Sequence, residues 1–189
     1  MNMKRHSAEA AGTSISSLKG NIYLVGMMGA GKTSVGKLLA KRAKKEFFDS
    51  DQVIVERTGV EIPTIFHHEG EDGFREREKA VIFELTQMEN IVLATGGGAV
   101  LREENRQHLI SSGFVIYLKA QVDALYKRTQ LDKSRPLLQT DDPRARLDSL
   151  FQERDPIYSE VADLIIETGD LSLQGFLRRL ERAILEKIK

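Results

Sequence analysis

Ile22-Tyr23-Leu24-Val25-Gly26-Met27-Met28-Gly29-Ala30-Gly31-Lys32-Thr33-Ser34 is the stretch that decides the fold of this chain. An apolar run over 22–26 reads as a strand, and an amphipathic stretch over 32–44 reads as a helix. Between them stands Gly26-x-x-x-x-Gly31-Lys32-Thr33, in the strand-to-helix position that a phosphate-binding loop requires. The glycines let the backbone turn so that successive N–H groups face inward, and the helix that follows adds the positive end of its dipole. Gly29, Ala30, Gly31, Lys32, Thr33 and Ser34 are therefore the expected nucleotide-binding residues. Lys32 supplies charge for the β- and γ-phosphates, and the Thr33 hydroxyl is placed to ligate Mg²⁺. The loop leaves open whether the γ-phosphate goes to water or to a second substrate.

Outward from this loop, short apolar runs alternate with stretches of helical period, the rhythm of a parallel sheet covered by helices. Strands are expected over 22–26, 47–49, 91–95, 114–118 and 163–167, and helices over 32–44, 73–88, 103–111, 122–129, 143–162 and 171–187. In the last helix Leu173, Phe176, Leu177, Leu180 and Ile184 recur at steps of three and four, a packing stripe with no chemistry in it. The 189 residues fit one domain, drawn over 20–189, and the polar residues 1–19 read as a disordered extension. Residues 131–142 are the one turn-rich interruption long enough to act as a flap.

Lys+Arg and Asp+Glu balance at 28 each, so no broad field favours nucleic acid or an anionic membrane. The chain has no cysteine, which excludes disulfides and thiolate chemistry and suits the cytoplasm. No run approaches the roughly 20 apolar residues that span a bilayer.

On the acceptor side, Asp49-Ser50-Asp51 closes the second expected strand. In extended backbone the two carboxylates face one spot, where one can hold metal-bound water and the other can orient or deprotonate a hydroxyl. The same three residues also make a good helix N-cap before 52–57. Gly96-Gly97-Gly98 leaves the end of the third strand bare, at the sheet edge where open α/β folds bind ligands. Arg75 and Arg154 are by default solvated or helix-pairing charges. His67-His68 is a poor metal pair, because adjacent helical side chains diverge by about 100°.

Taken together, the loop, Asp49-Ser50-Asp51, Gly73-Phe74-Arg75 with Glu78, Gly96-Gly97-Gly98, Arg135-Pro136-Leu137-Leu138 and Glu153-Arg154-x-Pro156-x-Tyr158 stand in one order. In that order and approximate spacing the chain resembles the shikimate kinase family, from about residue 20 onward. The resemblance implies a three-layer α/β/α P-loop fold like that of nucleoside monophosphate kinases, with a five-stranded parallel sheet and a mobile lid. It implies ATP as co-substrate with Mg²⁺, and shikimate held by Asp51, Arg75, Gly97 and Arg154, with Gly96 and Gly98 beside them. Asp49 would stand by the magnesium hydration shell and Asp51 at the 3-hydroxyl. Arg135 would swing from the lid onto the phosphates and Arg128 would stack on adenine, so Lys32, Asp49, Asp51 and Arg135 are the catalytic candidates. A cytoplasmic monomer is expected. Two rivals remain at this stage: another small P-loop kinase, such as one for gluconate, and a non-catalytic domain that keeps the fold.

Overall fold

The computed structural model describes residues 14–132, 134–169 and 172–188. Its centre is β1 (Asn21–Val25), which pairs in parallel with β3 (Ile91–Ala94) on one side and β4 (Gly113–Lys119) on the other. β2 (Glu46–Asp49) extends the sheet beyond β3, and β5 (Leu164–Glu167) extends it beyond β4, giving the order β2-β3-β1-β4-β5. Ile22, Tyr23, Leu24 and Val25 are all fully buried, as a central parallel strand covered on both faces requires. Register follows from the same runs: Ile22 stands beside Val92 and Phe114, and Leu24 beside Ala94 and Ile116.

Helices cover both faces. Leu24 points at α1 (Lys32–Ala43), where a Cβ added to Gly36 would meet its side chain at 3.2 Å and the Phe47 ring at 2.5 Å. Tyr23, one residue earlier, points the other way, and its hydroxyl lies 2.8 Å from Ser112 Oγ at the end of α4 (Glu103–Ser112). α7 (Leu173–Ile188) packs beside α1, and Arg42 of α1 bonds Glu181 of α7 at 3.1 Å. α6 (Pro143–Val161) packs on α4, β4 and α5 (Val122–Thr129). The five-stranded parallel sheet with its two helical layers is the expected architecture.

Three boundaries differ from expectation, each for a local reason. α2 (Ser50–Thr58) is a helix where only a cap sequence stood out, so the backbone is already helical at Asp51 instead of extended. α3 spans Ile62–Thr86 as two helical segments joined at a kink; Pro63 lies in the first turn of the first segment, where a missing N–H costs nothing. Gly70 makes the kink with φ 71° and ψ −178°, a backbone state open almost only to glycine, so the helix expected over 73–88 is the second segment and the first is the one not expected. At the N-terminus, the expected extension over 1–19 overlaps packed structure. Ser14 caps a short 3-10 turn at Ile15–Ser17, Ile15 is buried in the core, and Lys45 Nζ donates to the carbonyls of Leu18 and Gly20 at 2.7 and 2.8 Å. The rest of that extension, residues 1–13, lies outside the described residues, as do Lys133 in the flap and 171, where the last helix was expected to begin. Among the described residues no helix is long and apolar enough to cross a membrane.

Candidate active site

The carboxyl ends of β1, β2 and β3 deliver three loops to one end of the sheet, and the side chains that sequence reasoning singled out converge there. After β1, the phosphate-binding loop folds back over Lys32. Lys32 is buried, and its ammonium donates to the carbonyls of Gly26 at 2.7 Å and Met27 at 2.8 Å. Burial pushes the Lys32 ammonium down to about 8, although the nearby Asp51 carboxylate pulls the other way.

Asp49 does two things at once. Its Oδ1 accepts from the backbone N–H groups of Asp51 (3.0 Å) and Gln52 (3.4 Å), capping α2, while Oδ2 accepts from the Thr33 hydroxyl at 2.6 Å. The functional and capping readings of Asp-Ser-Asp are therefore compatible. Ser50, between the two aspartates, is fully buried and its Oγ accepts from the Gly96 N–H at 2.9 Å, which ties α2 to the glycine loop after β3. Asp51 stands in the first turn of α2 and still turns its carboxylate into the site, without the strand alternation that was expected to aim it. Burial, with Asp49 adding like charge, raises its affinity for a proton.

Glycine is required at the loop after β3 because charged side chains crowd it. A Cβ on Gly98 would lie 2.2 Å from Arg75 Nη2, and one on Gly96 would lie 2.5 Å from Glu78 Oε1 and 2.6 Å from Asp51 Oδ1. Arg75, on α3, pairs with Glu78 at 2.7 Å and Glu71 at 2.9 Å. Burial opposes its charge, yet these carboxylates hold its guanidinium above the ordinary arginine range. Glu78 is fully buried, and that burial pushes its carboxyl up to about 7 against the pull of Arg75. Arg154, from α6, is 2% exposed, and its Nε and Nη1 have no hydrogen-bond partner among the described residues. A buried guanidinium with two free donor atoms is costly unless an anionic group completes it, so this pocket suits an anion.

Two cavities meet here. The larger, about 450 Å³, is lined by Gly29, Gly31, Lys32, Thr33, Ser34 and both aspartates. The smaller, about 60 Å³, is lined by Arg75, Glu78, Gly96, Gly97, Gly98 and Arg154, with Phe66 and Phe74 as its apolar wall. Met28, Asp51, Ile62, Gly97, Ser134 and Arg135 line both. Arg135 Nε pairs with Asp132 at 2.9 Å, and the segment around it forms a 3-10 turn at Pro136–Leu138. A further cavity of about 310 Å³ flanks the loop on the other side, where Ala30, Gly31 and Ser34 face Arg128, Thr168, Gly169, Leu173 and Phe176. Arg128 donates there to the Gly29 carbonyl at 3.1 Å. Among the described residues no group of three or more His, Asp or Glu side chains gathers as a metal site, and the His67 and His68 rings meet edge to face with centroids 5.0 Å apart.

The family model for shikimate kinase matches residues 28–188. This chain belongs to the shikimate kinase family. The shikimate kinase of Chromobacterium violaceum is 59% identical over 169 residues, which cover 89% of this chain and 92% of the relative. A solved structure of shikimate kinase from Acinetobacter baumannii in complex with shikimate is 47% identical, with a TM-score of 0.88, covering 91% of this chain and 96% of that one. A gluconokinase from Sinorhizobium meliloti is 16% identical with a TM-score of 0.57 over 89% of this chain and 93% of its own, a likeness of fold alone.

Within this shikimate kinase site, sequence reasoning passed over Ser50, Phe66 and the Thr168–Gly169 wall, and counted Glu78 only as a motif residue. Glu78 had a usable signal in its three-residue spacing from Arg75 on one helix. Ser50 and Thr168 had none, since small hydroxyl residues are common at any helix start or strand exit.

Proposed function

We propose that this chain transfers the γ-phosphoryl group of ATP to the 3-hydroxyl of shikimate, giving shikimate 3-phosphate and ADP, a step toward chorismate and the aromatic amino acids. The observation that carries the reading is that the phosphate cavity and the guanidinium cavity are continuous and share Asp51, Gly97 and Arg135. An acceptor whose carboxylate is held by Arg75 and Arg154 has its far hydroxyls near Asp51, beside Lys32 and Thr33. Shikimate, a ring with one carboxylate and three hydroxyls, matches that polarity.

ATP phosphates fit the inward N–H groups of residues 29–34, and the adenine end fits the cavity beside Arg128 and Phe176. Mg²⁺ fits the Thr33–Asp49 pair: the hydroxyl offers a neutral oxygen, and the carboxylate can hold a metal-bound water. When bound, Mg²⁺ neutralises charge on the β- and γ-phosphates. Asp51 orients the 3-hydroxyl and receives its proton as that oxygen bonds to phosphorus and the bond to the ADP oxygen breaks. The raised proton affinity of its carboxyl, caused by burial, suits that task. Lys32 and Arg135 then balance charge on the transferring group. Residues 131–142 act as the lid: closing it brings Arg135 onto the phosphates and keeps out water, which would otherwise take the phosphoryl group. By resemblance to the family the enzyme is read as a monomer in the cytoplasm, and its balance of 28 Lys+Arg against 28 Asp+Glu gives no broad field for a nucleic-acid or membrane partner.

A coupled assay of ADP release, run with ATP and Mg²⁺ in the presence of shikimate, of gluconate or of neither, tests the reading. Release that depends on shikimate supports it. Turnover of gluconate instead, or release indifferent to either acid, overturns it.

A further inference from the structure

Tyr158 lies one turn beyond Arg154 on α6 and is fully buried, although neither the phosphate loop nor the guanidinium pocket claims it. Its hydroxyl donates to the Gly97 carbonyl and lies 3.7 Å from Met27 Sδ in the phosphate loop. The Arg154 guanidinium lies beside the same hydroxyl, and its Nη1 is 3.7 Å from where a Gly97 side chain would begin. The Tyr158 ring is held from behind by Tyr117 of β4, with centroids 4.9 Å apart. Tyr117 is held in turn by Asp155 at 2.7 Å, and Asp155 pairs with Lys119 at 2.9 Å.

We infer that Tyr158 is a positioning residue for the acceptor: its hydroxyl fixes the Gly97 peptide and Arg154 relative to each other, so that shikimate meets both in one geometry. A glycine triplet has no side chains to set its own path, and α6 reaches the site from the far side of the sheet. One buried donor that touches both supplies the missing constraint, and the Tyr117–Asp155–Lys119 chain keeps that donor from rotating away. The inference rests on the shikimate reading above. It predicts an effect on the acceptor that the nucleotide does not share, because Tyr158 reaches the phosphate loop at the Met27 side chain, whereas Lys32 is held by the Gly26 and Met27 carbonyls.

The test is steady-state kinetics on Tyr158→Phe, which keeps the ring and removes the donor. The shikimate KM is expected to rise by about tenfold, with the ATP KM unchanged. Tyr117→Phe, which removes the bond to Asp155 and loosens the support behind the Tyr158 ring, is expected to lower Tm and to raise the shikimate KM by less than Tyr158→Phe does. Tyr158→para-aminophenylalanine restores a weaker donor and is expected to bring the shikimate KM part of the way back. If the Phe variant fails to fold, the para-amino variant carries the test alone, through a shikimate KM raised without a matching rise for ATP. A shikimate KM that does not move, or that moves in step with the ATP KM, overturns the inference. Wild-type enzyme that ignores shikimate would instead overturn the reading on which it rests.

Discussion

Asp51 and Asp49 stand two residues apart, but their surroundings assign them different work. Asp49 has both oxygens engaged, one by the helix cap and one by Thr33, whereas Asp51 Oδ1 is buried with no hydrogen-bond partner among the described residues. Of the two, Asp51 is the one with a wholly unengaged oxygen to offer an acceptor hydroxyl. Asp51→Asn is therefore expected to lower kcat by about a hundredfold or more while ATP affinity, read by calorimetry, stays close to wild type; a parallel loss of ATP binding would show that the aspartate is structural. The two arginines make a matching prediction for the other end of the acceptor. Arg75→Ala and Arg154→Ala are each expected to raise the shikimate KM on the order of tenfold or more. A shikimate analogue without its carboxylate should bind wild type and both variants alike, and unequal binding would count against the carboxylate clamp.

At the scale of elements, α3 is two helical segments bent at Gly70, of which the sequence showed the second, and the fold needs both. Its first half brings Ile62 and Phe66 to the acceptor pocket, its second half brings Phe74, Arg75 and Glu78, and Gly70 sets the angle between them. A side chain at Gly70 would meet nothing within 4 Å, so its cost is backbone strain alone. Gly70→Ala is expected to destabilise the fold by about 1–3 kcal/mol, measured as a lower urea midpoint with an unchanged slope. A midpoint at the wild-type value would show that the kink relaxes freely. α2 makes a complementary case: Asp49 caps it and accepts from Thr33, and Ser50 ties it to Gly96, so one short helix couples the phosphate loop to the glycine loop after β3.

For the whole molecule, the acceptor pocket imposes a dependence on pH. Glu78 titrates near 4.5 in the unfolded chain and is raised to about 7 by burial in the folded one. The folded state therefore binds this proton more tightly. Below 4.5 both states hold it and the stabilisation is complete; as pH rises from there through about 7 it is lost. Asp51, raised for the same reason, adds in the same direction. Thermal melts of wild type and Glu78→Gln from about pH 5 to about pH 8 should show the wild-type advantage shrinking as pH rises. An advantage that grows would mean that pairing with Arg75 outweighs burial.

The sequence by itself determined the alternation of strands and helices, the phosphate loop, and the identities of the charged residues that line the cavities. Those features are local: an apolar run flanked by glycines, or a Lys-Thr pair at a helix start, carries its physics in a dozen neighbouring residues. The motif order also carried the family. What tertiary structure decided was contact between distant segments. That Gly98 is glycine because Arg75 passes against it, that Ser50 receives the Gly96 N–H, and that Tyr158 holds the Gly97 carbonyl depend on three loops and α6 meeting at one end of the sheet. The first segment of α3, before Gly70, was hidden for a different reason. A short stretch ahead of a glycine break carries little helical signal of its own, and the packing of Ile62, Ile65 and Phe66 decides it.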